Sequence, residues 1–248
     1  MYPVLFRIGS FELTSFGVLV AVGALVGLAI FKRELVFAGL PESAVDTAMA
    51  GLIGGMIGAK LLWVSEHFRE EPFAALLFSR GGLSWFGGFA GGLLAGIIVM
   101  RRRRLPVVPV LSAATPALAV GHAIGRIGCF LVGDDYGVPS NLPWAVAFPQ
   151  GLPPTDVPVH PTQLYEAALL APVAWLLIRC RRQRRDDRFV LGAYLLLAGT
   201  IRFCIEFLRI NTRVLGPFSV AHLAAFAAIV VGMMLLLRTK GTAVGRGL

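Results

Sequence analysis

The sequence predicts an all-α protein: a polytopic membrane helix bundle of seven transmembrane helices, with a surface-lying arm and a long loop on the outer side. Of its 248 residues, 56% are hydrophobic and only 15% are charged, which is typical of a chain that crosses a membrane several times. The apolar residues form runs long enough to span hydrocarbon, and basic residues cluster at the ends of those runs. We therefore expect a single transmembrane domain over residues 1–248.

The elements follow in a simple order. An arm over residues 1–13 alternates apolar and polar side chains and precedes the first span. The seven spans are predicted at about residues 14–31, 44–64, 83–100, 106–132, 162–178, 189–210 and 217–237. Residues 65–80 mix charged with aromatic side chains and are too polar to span, so we expect an interfacial segment lying along the membrane surface.

The distribution of basic residues predicts the orientation. Of the 23 lysines and arginines, 15 follow spans one, three, five and seven, and five lie on the opposite side. By the positive-inside rule, the N-terminus is then outside and the C-terminus is cytoplasmic. The loop over residues 133–161, which contains seven prolines and no lysine or arginine, falls on the outer side. Because topology explains the formal charge of +9, we expect no nucleic-acid partner.

The stretch Gly121–Gly137, GHAIGRIGCFLVGDDYG, places a histidine and an arginine on an apolar helix. An arginine inside a span costs about 2.5–3.5 kcal/mol on insertion scales, so Arg126 needs a partner, a water-filled cavity or an anionic ligand. His122 lies four residues earlier and shares its helix face. The alternatives are an arginine that extends to the interface and a histidine hydrogen-bonded between helices.

Two further segments bring polar groups to the outer side. The first is HPTQLYE, from His160 to Glu166, and the second is Arg202, Glu206 and Arg209, whose spacing of four and three predicts one helix face. Glu206 is expected either to neutralise one of these arginines or to leave positive charge in surplus with Arg126. Surplus guanidinium groups favour a lipid phosphate, which they bind bidentately.

The spacing of cysteine and histidine residues does not indicate a metal site. The three cysteines form no pair with metal-ligand spacing, and no histidine and carboxylate cluster has such spacing either. We therefore expect no metal, no cofactor and no disulfide framework.

Five motifs carry a family resemblance: IGSFELTSFG, GGLSWFGG, GRIGCFLVGDDYG, HPTQLYE and IRFCIEFLR. In this order they resemble the prolipoprotein diacylglyceryl transferase family over nearly the whole chain. The resemblance implies seven spans with the N-terminus outside, in the bacterial inner membrane, and an active site on the periplasmic side. It also implies two substrates, phosphatidylglycerol and prolipoprotein signal peptides with a lipobox cysteine, met among membrane lipids. The implied reaction moves the diacylglyceryl group onto the cysteine thiol, forms a thioether and releases glycerol 1-phosphate.

The resemblance also implies roles for particular residues. Arg126 matches the family's signature arginine and Arg202 the essential arginine of a later span, so both are expected to bind the phosphate and to act in catalysis. Asp134 stands where the family usually has a glutamate. The remaining expected substrate-binding residues are Gly137, His160, Glu166, Glu206 and Arg209.

Some positions depart from the family pattern. Many members carry histidine, and some tyrosine, at the position of Phe86, and that histidine has been proposed as the base that activates the thiol. Phe16 replaces a frequent tyrosine, while Cys129 and Val132 replace two asparagines. His122 is our candidate for the base, because neutral imidazole accepts protons near neutral pH. Asp134 is the second candidate, and direct ionisation of the acceptor thiol is the third.

Three functions remain open on the sequence. The first is the family reaction itself. The second is a divergent paralogue that uses another acceptor, which the changes at Phe16, Phe86 and Cys129 suggest. The third is a non-catalytic membrane protein that retains only a lipid-phosphate site.

Overall fold

Eight helices account for most of the chain in the computed structural model, which describes residues 2–8, 11–69, 72–79 and 82–239. They are α1 Ser15–Phe37, α2 Asp46–His67, α3 Phe73–Phe78, α4 Trp85–Arg102, α5 Val107–Val132, α6 Thr162–Arg182, α7 Asp187–Glu206 and α8 Val220–Thr239. Four short strands are also present: β1 Val4–Ile8, β2 Phe11–Thr14, β3 Val146–Phe148 and β4 Thr155–Val159.

Six stretches of the described chain are long and apolar enough to cross a membrane. They are Ser15–Phe37, Glu42–His67, Val107–Val132, Thr162–Arg182, Asp187–Glu206 and Val220–Thr239. The prediction of a polytopic helical membrane protein is therefore confirmed. The remaining predicted span coincides with α4, a helix of 18 residues that is not among the six. Its crossing of the membrane stays a prediction.

Contacts divide the chain into two compact units, one made of Met1–Phe31 with Leu111–Leu248 and the other of Lys32–Val110. In the second unit, α2 and α4 pack through glycines. A Cβ on Gly58 would overlap with Gly87, and one on Gly54 would overlap with Gly91 and Ala95. Backbone therefore lies directly against backbone, as expected for small residues between membrane helices.

In the first unit, glycines again bring helices close together. Gly23 of α1 faces the carbonyl oxygen of Gly121 on α5, and Gly192 of α7 faces that of Gly232 on α8. A buried cluster between α5, α6 and α7 includes Ala119, Val173, Leu177 and Val190. This unit contains every residue for which the sequence predicts a functional role.

The strands form two antiparallel hairpins, β1 with β2 and β3 with β4. The first corresponds to the predicted arm, with Tyr2 and Phe6 about 70% exposed. The second lies within the loop over residues 133–161, where Tyr136, Phe148 and Val159 form a small buried core. The rings of Tyr136 and Phe148 stack with centroids 5.4 Å apart.

Some predictions fall on parts of the chain outside the described residues. The predicted interfacial segment begins in the last turn of α2 and includes α3, while its residues 70, 71 and 80 are not described. The same holds for Gly9 and Ser10 of the first motif, Gly81 of the second and the basic tail over residues 240–248. Placement of the interfacial segment along the membrane surface stays a prediction.

The predicted end of the sixth span is wrong. α7 ends at Glu206 rather than near residue 210, so Arg209 is not on the face of that helix. The turn tightens as Leu208 N–H donates to Ile205 and Arg209 N–H donates to Glu206. The Leu208 carbonyl then accepts a hydrogen bond from Val138 N–H at 2.7 Å. This contact with another segment ends the helix and could not be read from residue spacing.

Candidate active site

Glu166 is the carboxylate at which the predicted basic residues meet. Its side chain is 2% exposed, and its Oε2 lies 2.6 Å from Nε of Arg126 and 3.4 Å from Nη1 of Arg202. Its Oε1 lies 3.4 Å from Nε2 of His122. One buried carboxylate thus joins three basic side chains that the sequence had assigned to a common site.

Three helices supply these groups. His122 and Arg126 lie one turn apart on α5, so they project from the same face. Glu166 lies near the start of α6, and Arg202 lies near the end of α7. The helix end at Gly133, with a positive φ of 73°, directs the chain after α5 back towards them.

Asp135 is a second carboxylate of the site, which the sequence analysis did not select. Its Oδ2 accepts a hydrogen bond from Nη1 of Arg126 at 2.8 Å, and its Oδ1 contacts Nη2 of Arg209. Burial alone would raise the pKa of Asp135, but the guanidinium groups of Arg209 and Arg126 hold it below its usual range. The only signal in the sequence was its position beside Asp134.

The start of α6 holds the backbone of this acidic turn. Asp135 has a positive φ of 61°, which a residue other than glycine adopts rarely. The Thr162 hydroxyl donates to the Asp135 carbonyl at 2.9 Å, and the Gln163 amide donates to the Asp134 carbonyl. The HPTQLYE motif therefore fixes the turn through the side chains of Thr162 and Gln163. It also contributes Glu166, which contacts the arginines.

Glu206 is the third carboxylate, and its side chain is fully buried. Its Oε2 lies 3.0 Å from Nη2 of Arg202 and 3.9 Å from Nε of Arg209. Its Oε1 accepts hydrogen bonds from the Ser219 hydroxyl at 2.6 Å and the Asn211 amide at 2.7 Å. Ser219 and Asn211 were not predicted, because neither belongs to a motif that the sequence analysis used.

These contacts close into a ring of alternating charge, which we call the charge ring. Its members in order are Arg126, Asp135, Arg209, Glu206, Arg202 and Glu166. Three guanidinium groups face three carboxylates, so the expectation of surplus positive charge is wrong for this ring. Asp135, in the loop after α5, is the carboxylate that the predicted spans did not supply.

Exposure differs sharply between the carboxylates of the charge ring. The Asp135 side chain is 42% exposed, whereas those of Glu166 and Glu206 are 2% and 0% exposed. His122, attached to the ring through Glu166, is 41% exposed, and Arg202 is 23% exposed. A ligand therefore has access to the ring at Asp135, Arg202 and His122.

Asp134 lies beside Cys129, with a carboxylate oxygen within 4.8 Å of the thiol sulfur. Its burial, and then the neighbouring Asp135 carboxylate, raise the pKa of Asp134 above its usual value. Its catalytic role stays a prediction.

Gly137 and His160 secure the loop after α5. Gly137 N–H donates to the His160 carbonyl at 2.9 Å, and a Cβ on Gly137 would overlap with Leu208, His160 and Thr162. The His160 ring nitrogen Nδ1 lies 3.2 Å from the Tyr165 hydroxyl. These contacts position the loop, and a direct contact of either residue with substrate stays a prediction.

A cation is poorly suited to this site. Among the described residues, one group of side chains brings metal-ligating atoms close together: Cys129, Asp134 and Asp135. The Asp135 carboxylate already contacts two guanidinium groups, whose positive charge opposes a metal ion.

Comparisons with known proteins agree with the motifs. The family model described as prolipoprotein diacylglyceryl transferase matches residues 3–238. A phosphatidylglycerol–prolipoprotein diacylglyceryl transferase of Geobacter sulfurreducens is 31% identical, with 98% of this chain and 97% of the relative covered. Proteins of the same name from Pseudoalteromonas translucida and Gloeobacter violaceus are each 31% identical. The alignments include 95% and 93% of this chain, and 91% and 90% of the respective relatives.

Proposed function

The chain belongs to the prolipoprotein diacylglyceryl transferase family, and from that premise we propose that it transfers diacylglyceryl from phosphatidylglycerol to prolipoproteins. The acceptor is the thiol of the lipobox cysteine, the products are a thioether and glycerol 1-phosphate, and the setting is the bacterial inner membrane. The observation that supports this most is the meeting of Arg126 and Arg202 at one buried carboxylate, Glu166.

Arg126 and Arg202 are the proposed phosphate ligands. Both come from helices apolar enough to span a membrane, and both lie near the same end of the unit as the loop over residues 133–161. Guanidinium groups bind phosphate oxygens bidentately, and fixed donors stabilise charge that develops on a leaving phosphate. Glu166 holds the two arginines together, so that little reorganisation is needed when the charge develops.

The proposed step is a displacement at the carbon of the diacylglyceryl unit that bears the phosphate. The cysteine sulfur forms a bond to that carbon, and the bond from carbon to phosphate oxygen breaks with its electron pair on the oxygen. The leaving group is glycerol 1-phosphate, whose added negative charge Arg126 and Arg202 stabilise. The thiol proton passes to a base, and no metal or cofactor takes part.

His122 is the proposed base. Its Nε2 lies 3.4 Å from the Glu166 carboxylate. The carboxylate attracts the Nε2 proton and so orients the imidazole. The lone pair is then on Nδ1, where it is available to the incoming thiol. Exposure of 41% fits a side chain that meets a substrate from outside the helix packing.

We also propose seven spans, with α4 as the third, an outside N-terminus and a cytoplasmic C-terminus. The support is the clustering of lysine and arginine after alternate spans. The charge ring then lies on the periplasmic side, where a prolipoprotein signal peptide presents its cysteine. Reporter fusions at Arg103 and Arg184 should report the cytoplasm and a fusion at Phe148 the periplasm; a reversed result at any one contradicts this topology.

A transfer assay tests the activity. Purified protein is incubated with phosphatidylglycerol and a lipobox peptide, and the peptide is analysed by mass spectrometry. We expect a diacylglyceryl adduct on the cysteine and none on a matched peptide with serine at that position. No adduct, from a preparation that binds phosphatidylglycerol, would contradict the proposal and favour a paralogue with another acceptor.

A further inference from the structure

We propose that Ser219 and Asn211 are positioning residues for the transfer reaction, because they fix the Glu206 carboxylate that aligns Arg202. This inference rests on the transferase function proposed above. It concerns the connection between α7 and α8, which the family motifs do not include.

The two oxygens of Glu206 have different partners. Oε1 accepts from the Ser219 hydroxyl and the Asn211 amide, while Oε2 faces Arg202 and, at longer range, Arg209. A quarter-turn of the carboxylate would move Oε2 away from Arg202 and Oε1 away from its two donors. Two donors on Oε1 oppose that rotation, so they act on the guanidinium group without contacting it.

Ser219 is itself held in place. It precedes α8 as a helix cap, and its hydroxyl and carbonyl oxygens accept from the His222 N–H at 3.4 and 3.0 Å. The Ser219 N–H donates to Nδ1 of His222 at 3.1 Å. The Ser219 hydroxyl lies 2.6 Å from Oε1 of Glu206 and 3.2 Å from Nδ1 of His222, so its proton is directed to Glu206, the closer and charged acceptor.

His222 is suited to accept rather than donate at Nδ1. The imidazole is fully buried and is surrounded by the rings of Phe203, Phe207 and Phe218, with centroids 5.1, 4.4 and 5.5 Å away. The Ser219 N–H can only donate, so Nδ1 of His222 accepts and carries no proton. A neutral ring that accepts at Nδ1 carries its proton on Nε2, so His222 holds the Ser219 backbone and does not compete for Glu206.

Arg213 keeps the connection over the end of α7. Its Nη2 donates to the Arg209 carbonyl at 3.1 Å, and its Nη1 donates to the Glu206 carbonyl at 3.3 Å. The segment that contains Asn211 is thereby attached to the same turn that contains Glu206. The Glu206 carboxylate is therefore held by two donors from different segments: Ser219, at the start of α8, and Asn211, in the connection before it.

The test compares Ser219→Ala, Ser219→Thr and Asn211→Ala in the full-length protein. We expect Ser219→Ala and Asn211→Ala to lower kcat about 10- to 100-fold, as for a lost hydrogen bond to a charged group. The KM for phosphatidylglycerol should change little, because Arg126 still binds the phosphate. Ser219→Thr, which keeps the hydroxyl, should recover most of the rate.

Thr200→Ala is the matched control, since the Thr200 hydroxyl on α7 donates to the Leu196 carbonyl of its own helix and is exposed. It should keep the wild-type kcat. Thermal unfolding of each variant in detergent identifies any loss due to misfolding. Wild-type kcat in Ser219→Ala, an effect on KM alone, or failure of Ser219→Thr to recover the rate would overturn the inference.

A second readout does not depend on turnover. In protein labelled with ¹⁵N-arginine, the side-chain signals of Arg202, assigned with Arg202→Lys, should shift in Ser219→Ala while those of Arg7 do not. If the wild-type protein forms no thioether, the transferase proposal fails, and these signals still decide whether Ser219 aligns Arg202. Unchanged Arg202 signals overturn the positioning role in either case.

Discussion

The Asp135 carboxylate lies 2.8 Å from Nη1 of Arg126 and is 42% exposed. The most accessible acid of the charge ring therefore contacts one of the two arginines that we propose as phosphate ligands. A lipid phosphate that binds Arg126 bidentately must share or replace this contact. Asp135 is thus expected to compete with the substrate.

Removing the Asp135 charge should strengthen substrate binding. We expect Asp135→Asn to lower the KM for phosphatidylglycerol about two- to fivefold, the effect of losing a partly exposed ion pair. Asp156→Asn, at an exposed carboxylate of the same loop on β4, is the matched control and should keep the wild-type KM. A higher KM in Asp135→Asn would show that this carboxylate helps to bind the substrate instead of competing with it.

Neutralising Glu166 should abolish most activity. Glu166→Gln keeps the shape of the side chain but removes the charge that Arg126, Arg202 and His122 share, so we expect transfer to fall about 100-fold or more. Stability should also fall by about 3–5 kcal/mol, because buried guanidinium charge loses its partner. Rates and thermal unfolding in detergent measure the two effects.

Glu12→Gln provides the comparison for Glu166→Gln. Glu12 pairs with Arg7 on the first hairpin at 2.8 Å, and its side chain is 47% exposed. Such pairs contribute about 0–1 kcal/mol. Equal activity in the two variants would remove Glu166 from the account.

The ionisation of Asp134 should cost stability at neutral pH. Burial raises its folded-state pKa, so stability associated with this group is present below the unfolded pKa and is lost as pH rises through the folded value. Asp134→Asn should therefore raise the unfolding temperature at pH 7 by about 2–4 °C per kcal/mol relieved, with no gain at acid pH. A gain in stability with loss of transfer would assign Asp134 a catalytic role, and no gain at any pH would contradict the electrostatic argument.

A methyl group at Gly137 should disturb the loop over residues 133–161. Its Cβ would overlap with the Leu208 carbonyl, so we expect Gly137→Ala to cost about 1–3 kcal/mol of unfolding free energy. At Gly125 on α5, a Cβ would have no neighbour within 4 Å. Gly125→Ala should leave stability unchanged or raise it, and equal destabilisation of both variants would contradict the packing argument.

His122 should determine how the rate depends on pH. If its imidazole accepts the thiol proton, kcat of His122→Asn should fall about 100-fold, while the KM for phosphatidylglycerol changes little. The variant should also lose the rise in rate between acid and neutral pH. A variant that keeps this pH profile would return His122 to a structural role beside Glu166.

Sequence reasoning predicted the seven long helices, because each follows from a long apolar run, although α1 continues past the predicted end at residue 31 to Phe37. It also brought together His122, Arg126 and Arg202, because an ionisable side chain in a span needs a partner. The end of α7 was wrong, because the Leu208 carbonyl is bonded by a loop that is distant in sequence. Asp135 was missed for a similar reason. Its position depends on a left-handed turn fixed by Thr162, and residue spacing does not predict that contact.

The most direct test of the account is the single-turnover rate of diacylglyceryl transfer at saturating phosphatidylglycerol in wild type, Arg126→Ala and Arg202→Ala. If the charge ring binds the lipid phosphate and stabilises its departure, both variants should insert normally and form thioether at least about 100 times more slowly. Transfer at near wild-type rates in either variant would contradict the assignment of that arginine to the leaving phosphate.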